Sequence, residues 1–218
     1  MKVLIIEDDL DIARQLSEHL KLSGFVPLAV HDGEEGLYQL TVEDWDAVLL
    51  DIGLPLMDGF TLLEKCRAEG KSVPIIVLTA RTSKMEMIKG LEAGADDYIY
   101  KPFDMAEVVA RIRSNIRRHK GQLKPNAAYK SVSLDWNSGR VTRDGLNVGL
   151  TRTEYLMVQY LFMNQGRSVS VTELAEHVYD DFDHDSSIIA RHIANVRKKL
   201  GAEIIQTESN RGYSIPIE

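Results

Sequence analysis

The sequence predicts an α/β domain built on a doubly wound, parallel, five-stranded sheet, followed by a smaller α+β domain. Three observations carry that expectation. Over the first 120 residues, five short runs rich in β-branched residues alternate with stretches of helical period, the pattern of a parallel sheet covered by helices on both faces. Past Gly121, Pro125 and Asn126, the pattern changes to short alternating strands and then to three helices. The charge divides at the same place, with 15 basic and 21 acidic residues up to residue 120 and 11 and 12 beyond it. The formal net charge of −7 therefore belongs almost wholly to the first part. A chain of 218 residues is long enough for two small domains, expected at 1–120 and 129–218 with a linker at 121–128.

In the first domain the strands are expected at 3–6, 25–30, 47–50, 73–78 and 98–100, each a short apolar run bounded by polar or turn residues. Between them, Ile12, Leu16, His19 and Leu20 share one face of a helix entered after Asp11. Val108, Arg111 and Ile112 step by three and four along a helix over 104–119, and residues 111–120, its end and the residue after it, hold the basic run Arg111, Arg113, Arg117, Arg118 and Lys120. In the second domain, 131–134 and 140–142 alternate about Asn137, Ser138 and Gly139, and Asp144-Gly145 predicts a tight turn, so a small antiparallel sheet is expected. Thr151-Arg152-Thr153-Glu154 and Ser170-Val171-Thr172-Glu173 both have the capping-box pattern, in which a hydroxyl and a carboxylate three residues on accept from the free N–H groups of a new helix. A third helix over about 186–200 and a hairpin from 204–206 and 213–217, with Asn210, Arg211 and Gly212 near its tip, complete the outline of a winged helix-turn-helix.

Composition narrows the function classes. With 44% hydrophobic and 27% charged residues, the chain is an ordinary globular protein. Its single cysteine, Cys66, excludes an internal disulfide framework or a Cys-rich zinc site and is expected to be a partly buried core residue. The apolar start turns at once to Glu7, Asp8 and Asp9, too short a run for a signal-peptide core or a membrane span, so a cytoplasmic protein without membrane association is expected. The glycine-rich signatures of dinucleotide and P-loop sites are absent.

In a doubly wound sheet ligands bind at the carboxyl ends of the strands. Glu7, Asp8 and Asp9 follow the first strand, Asp51 ends the third, Thr79 the fourth, and Lys101-Pro102 follow the fifth. Crowded carboxylates repel one another unless they share a cation, and an all-oxygen acidic cup suits Mg²⁺. Asp51 can then be a nucleophile towards a phosphoryl group, with Mg²⁺, Thr79 and Lys101 spreading the charge of its oxygens. Singly, such an Asp is usually a helix cap, such a Lys is solvated and such a Thr serves a turn. Their joint arrival at one sheet edge favours a site. Haloacid-dehalogenase-like phosphatases also use an Asp nucleophile but want a second Asp two residues on, where this chain has Gly53.

The third helix of the second domain directs Ile189, Ile193, Val196 and Leu200 to the core. Opposite lie Ser187, Arg191, Ala194, Asn195 and Lys198, with Arg197 and Lys199 on the flanks and no acidic residue from 186 to 200. A small, amide and basic face can enter a major groove, where Arg or Lys reads guanine and Asn reads adenine.

The segments Ile6-Glu7-Asp8-Asp9, Leu50-Asp51-Ile52-Gly53-Leu54-Pro55-Leu56-Met57-Asp58-Gly59, Leu78-Thr79-Ala80-Arg81, Gly94-Ala95-Asp96-Asp97-Tyr98 and Lys101-Pro102-Phe103 resemble the receiver domain of bacterial two-component response regulators. The resemblance covers residues 1–120. It implies that Asp51 accepts a phosphoryl group from a cognate sensor histidine kinase and that Glu7, Asp8, Asp51 and the Gly53 carbonyl hold Mg²⁺. It assigns phosphoryl contacts to Thr79 and Lys101, leaves Asp9 without a ligand role, implies a cis bond before Pro102, and makes Tyr98 a switch aromatic that turns inward as Thr79 moves. The receiver is then no enzyme beyond its own Mg²⁺-dependent phosphorylation and dephosphorylation.

Leu150-Thr151-Arg152-Thr153-Glu154-Tyr155, His192-Ile193-Ala194-Asn195-Val196-Arg197-Lys198-Lys199-Leu200 and Gly212-Tyr213 are similar to the DNA-binding domain of the OmpR/PhoB subfamily. That similarity implies transcription control at promoter DNA, with direct-repeat half-sites and RNA polymerase as partners. Ser209 and Asn210 stand where the subfamily commonly has Arg and Gly, so the wing contact falls to Arg211. It also implies homodimerisation on phosphorylation, through the helix before the fifth strand, that strand and the helix after it. Ile88, Leu91 and Ala110 would be the apolar contacts, and Asp97 with Arg111 a cross-subunit ion pair. Glu107 would meet a basic residue at position 87, where this chain has Met87; Lys84 or Lys89 are the candidate replacements. The acidic loop 180–185 starts like an EF-hand, but no Gly follows and His192 stands at its twelfth position, so calcium binding is not expected. The loop is a candidate contact for polymerase or a neighbouring subunit. A phosphorylation-independent regulator using the receiver only as a scaffold would require a missing site residue, and none is missing. A stand-alone phosphatase would leave the basic helix and wing without a use.

Overall fold

In the computed structural model the described residues are 1–80, 88, 90, 92–122, 124–136, 138–179, 186–209 and 211–217. They form two units, Met1–His119 and Lys120–Glu218. In the first, β1 (Lys2–Ile6), α1 (Leu10–Leu22), β2 (Val26–Val30), α2 (Gly33–Val42), β3 (Ala47–Asp51), α3 (Gly59–Ala68), β4 (Ile75–Thr79), β5 (Asp97–Tyr100) and α4 (Met105–His119) succeed one another. The five strands are parallel in the order β2-β1-β3-β4-β5. Burial explains their sequences: β1 and β4 are buried at every residue and β3 at all but Asp51, so both faces need apolar side chains. Ile6, Leu50, Leu62, Leu63 and Ile75 join one core in which Cys66 is wholly buried rather than partly so. Burial of each such aliphatic side chain contributes about 1.5–3 kcal/mol.

The helices begin where the sequence supplies acceptors. Asp9, Asp32 and Asp58 cap α1, α2 and α3 through their carboxylates, each accepting from free backbone N–H groups of the first turn. The register pairs Ile6 with Leu50, Asp51 with Leu78 and Thr79 with Tyr100, which sets the carboxyl ends of β1, β3, β4 and β5 side by side. The chain leaves β1 towards β2 on one side and β3 lies on the other, so the strand order reverses there, the usual place for a ligand crevice.

The second unit opens with an antiparallel meander, β6 (Asn126–Tyr129), β7 (Val132–Asp135), β8 (Val141–Arg143) and β9 (Leu146–Asn147). β6 lies in the stretch expected to be linker: Asn126 to Tyr129 carry no strong strand signal, and pairing with Asp135 to Val132 makes them a strand. Asp144 and Gly145 both have positive φ, the backbone of a two-residue hairpin turn. Then come α5 (Arg152–Met163), α6 (Val171–Val178), α7 (Ser186–Leu200) and the hairpin β10 (Gln206–Glu208) and β11 (Gly212–Ser214). The first hairpin strand starts later than the expected 204–206, because Ile204 and Ile205 turn into the core at 2% and 1% exposure instead of pairing; the second ends at Ser214, short of the expected 217. Gly212, at φ +109°, has no room for a side chain, since a Cβ would sit 2.0 Å from the Val169 carbonyl.

Candidate functional site

At the carboxyl edge of the parallel sheet, one oxygen from each of Glu7, Asp8 and Asp51 lies within 4.8 Å of the others. Lys101 Nζ donates to a Glu7 carboxylate oxygen at 2.7 Å and to Asp51 Oδ2 at 2.8 Å. The Lys101–Pro102 peptide is cis, and the Lys101 N–H donates to the Thr79 carbonyl at 2.8 Å, tying the ends of β4 and β5 together. Thr79 is buried, Asp8 exposed, and Gly53 exposed with its N–H 3.2 Å from Asp51 Oδ1. Asp9, outside this cluster, spends its carboxylate on the N–H groups of Asp11 and Ile12.

The electrostatics follow from burial. Glu7 is wholly buried, and burial, assisted by the charge of Asp51, pushes its carboxyl up to about 7 against the pull of Lys101. Burial draws Lys101 down, but its bonds to Asp51 and Glu7 outweigh that and hold the ammonium above its usual range. Three carboxylates facing one ammonium leave the cup anionic when ionised, and every donor is a hard oxygen. That set fits a divalent cation of the magnesium kind. Tyr98 lies inward against the Ile52, Phe60 and Val77 cluster; its hydroxyl is buried without a hydrogen bond among the described residues, and burial pushes it up to about 12.

On α7 the residues sort as the helical period requires. Ile189, Ile193, Val196 and Leu200 are buried, while Ser187, Arg191, Ala194, Asn195 and Lys198 are exposed, as is Arg211 in the hairpin. Two expected groove residues take other partners. The Arg197 guanidinium donates to the Ile205 carbonyl at 3.0 and 2.9 Å and to Thr207 Oγ1 at 2.7 Å, and lies 5.9 Å from the Tyr213 ring centre. Lys199 Nζ donates to Glu154 at 2.7 Å and to the Gly149 carbonyl at 3.0 Å. Both cations fasten α7 to its own unit, because carbonyls and a buried carboxylate lie within their reach and solvent competes weakly there. The acidic loop 180–185 and Asn210 lie outside the described residues.

Of the residues expected at a dimer face, Ile88 is exposed at 44%, while Leu91, Met87, Lys84 and Lys89 lie outside the described residues. Ala110 is exposed. The pair expected across subunits closes within one chain: Arg111 Nη1 donates to Asp97 Oδ1 at 2.9 Å, and Arg111 Nε donates to Glu107 at 2.8 Å. Glu107 thus has a basic partner one helical turn away. Sequence reasoning missed Asn115, which is 3% exposed. It donates to the other Asp97 oxygen at 3.0 Å and accepts from Arg118 at 2.7 Å. Its signal was an amide standing between Ile112 and Ile116 on the core side of α4.

Comparison with known proteins agrees with both units. Residues 3–113 match the response regulator receiver domain, and residues 145–215 match the C-terminal domain of transcriptional regulatory proteins. The chain is 37% identical over 216 residues to the transcriptional regulatory protein QseB of Haemophilus influenzae, covering 99% of this chain and 98% of that one. It is 35% identical over 218 residues to the two-component response regulator PhoP of Pseudomonas aeruginosa, covering 98% and 97%. The first unit is similar to the receiver domain of the Pseudomonas aeruginosa sensor histidine kinase PA1611, solved with a magnesium ion coordinated in its active-site cleft. The TM-score is 0.50 at 32% identity, over 53% of this chain and 96% of that one. An acidic cup on a receiver fold, joined to a winged helix, defines a response regulator. The chain belongs to the OmpR/PhoB family of two-component response regulators. No described helix is long and apolar enough to cross a membrane.

Proposed function

We propose that this chain is the phosphorylation-controlled output of a cytoplasmic two-component pathway, taking a phosphoryl group from a sensor histidine kinase onto Asp51 and binding promoter DNA through α7 and Arg211. The observation that carries it is the pairing of one cluster, Glu7, Asp8, Asp51 and Lys101, with a helix whose exposed face holds Arg191, Asn195 and Lys198 and no acid. A carboxylate oxygen of Asp51 attacks phosphorus while the bond to the donor nitrogen breaks. Lys101, already 2.8 Å from Asp51, is placed to offset the added charge, and Thr79 offers a hydroxyl from the neighbouring strand end. Glu7, Asp8 and Asp51, with the Gly53 carbonyl, would hold Mg²⁺, which when bound neutralises the acidic cluster and the phosphoryl oxygens. The receiver acts on no other substrate; its catalysis is confined to gaining and losing its own phosphoryl group.

Phosphorylation then favours a homodimer through the face that carries Ile88, Asp97, Glu107, Ala110 and Arg111, and two effector domains engage repeated half-sites and RNA polymerase. Pairing raises affinity by effective concentration, without needing a change in α7. The DNA-facing set is Ser187, Arg191, Asn195, Lys198 and Arg211, with Arg197 and Lys199 holding the helix that presents it. Treatment with a small phosphodonor and Mg²⁺ tests the first step: the parent chain forms an acyl phosphate and Asp51→Asn forms none. Equal stoichiometry in the two would overturn the assignment.

A further inference from the structure

Residues 108–134 contain no Asp or Glu, although the chain has 33 of them in 218 residues. The same 27 residues carry Arg111, Arg113, Arg117, Arg118, Lys120, Lys124 and Lys130. Several have work within the fold. Arg111 is paired with Asp97 and Glu107, Arg113 donates to the Ser23 carbonyl and lies over the Phe25 ring, Arg118 donates through one nitrogen to Asn115 Oδ1, and Lys130 lies over the Tyr129 ring. Arg118, Lys120 and Lys124 are exposed, and no carboxylate lies within ion-pair distance of Arg118 or Lys124 among the described residues. The downstream end of this segment is fixed to the second unit, where the Trp136 N–H donates to the Pro125 carbonyl at 3.2 Å beside β6.

The effector unit itself is poorly supplied with cations for a polyanion. From residue 121 on it carries 11 bases against 12 acids. Arg197 and Lys199 are engaged internally, as is Arg167, which donates to Glu173 and Asn164. Arg191, Lys198 and Arg211 are what α7 and the hairpin present. Affinity for duplex DNA at physiological salt comes mainly from the number of phosphates neutralised. We infer that the exposed basic segment Arg118, Lys120 and Lys124 is a second DNA-contacting surface, one that takes backbone phosphates of duplex DNA without reading bases.

The bland alternative is that these cations complement the carboxyl-terminal dipole of α4. It accounts for Arg117, Arg118 and His119 in the last turn. It does not account for Lys120 and Lys124, which stand beyond the helix.

The inference rests on the DNA-binding reading of α7, so its test separates the two. The full chain, a variant carrying Arg118→Gln, Lys120→Gln and Lys124→Gln, and a variant carrying Arg191→Gln and Lys198→Gln are titrated onto a fluorescein-labelled random-sequence duplex over a range of salt. Each lost phosphate contact should flatten the slope of log affinity against log salt by about 0.9, so the triple variant should be shallower by up to about 2.7. Its loss should be the same on any duplex sequence. A triple variant with the parent's slope, beside an Arg191 and Lys198 variant that binds less, overturns the inference and leaves α7 as the DNA surface. Parent-like binding by both variants overturns both readings. Weaker binding at an unchanged slope, with a lowered melting temperature, shows that the segment serves the fold and overturns the inference as well.

Discussion

Arg197 and Lys198 are neighbours on α7, yet the guanidinium of the first is bonded to Ile205 and Thr207 while the second is exposed. Arg197→Ala should therefore cost about 1–3 kcal/mol of stability, because it leaves the Ile205 carbonyl short of a charged donor. Lys198→Ala should change stability by less than about 0.5 kcal/mol and lower specific DNA affinity about tenfold. Thermal unfolding and gel-shift titration of the two variants check this, and the reverse pattern would exchange the two roles. The sequence period was enough to turn Ile189, Ile193, Val196 and Leu200 inward, since that depends only on helix geometry. Which flanking cation is consumed depends on groups that the chain brings back from residues 149, 154, 205 and 207, and no local pattern carries that information. At the sheet edge Glu7, Asp8, Asp51, Thr79 and Lys101 were legible because each stands at or just after the end of a strand, and the register of the strands brings those ends together. Tyr98 is instead decided by packing: its inward ring fills the space that Gly90 leaves without a side chain, where a Cβ would fall 1.5 Å from the hydroxyl.

Among the elements, two start signals with the same pattern have different outcomes. Thr151 and Glu154 form a complete capping box, and Glu154 takes Lys199 in addition. Ser170 caps α6 by accepting from the Glu173 N–H, but the Glu173 carboxylate does not return to the cap. It accepts from the Tyr160 hydroxyl at 2.8 Å and from Arg167, and so ties α6 to α5. Arg167 and Tyr160 together occupy both Glu173 oxygens and turn them away from the cap, and Arg167 was not visible as a competitor in a four-residue pattern. Burial draws the Glu173 carboxyl up, but the bonds from Arg167 and Tyr160 outweigh it and hold it below its ordinary value. The unfolded chain then binds the proton more readily, so the stabilisation is present above the unfolded value of about 4.3 and is lost as pH falls through the folded one. Glu173→Gln should cost about 1–3 kcal/mol at neutral pH, and its melting temperature should fall less steeply than the parent's below about pH 4. Parallel melting curves across that range would remove Glu173 from the acid response. The parallel strands were legible because burial on both faces demands continuous apolar runs; β6 was not, because Asn126 to Tyr129 become a strand only through their partner.

For the whole molecule, the proposal that a charge added at Asp51 drives pairing between chains has to be reconciled with the contacts the pairing face already makes. The face expected to pair already carries an internal network, in which both oxygens of Asp97 are taken, one by Arg111 and one by Asn115. A cross-subunit Asp97–Arg111 bond must therefore replace or share the bond within the chain. Phosphorylation has to supply only the difference between the two arrangements, since a like-for-like exchange of ion pairs is nearly neutral and exposed pairs contribute at most about 1 kcal/mol. The exchange can be tested by charge reversal. Arg111→Glu sets an acid opposite Asp97, and Asp97→Arg sets a base opposite Arg111, so each variant alone should take up phosphate at Asp51 normally yet sediment as a monomer. If the pair acts between chains, mixing the two phosphorylated variants restores both bonds of a two-fold interface. The introduced arginine of one chain then meets the introduced glutamate of the other, and the Asp97 kept by the Arg111→Glu chain meets the Arg111 kept by the Asp97→Arg chain. Analytical ultracentrifugation of the mixture should then show a heterodimer. A mixture that stays monomeric would mean that Asp97 and Arg111 act only within their own chain, where Asn115 joins them to Arg118 and the basic segment that leads into the effector unit.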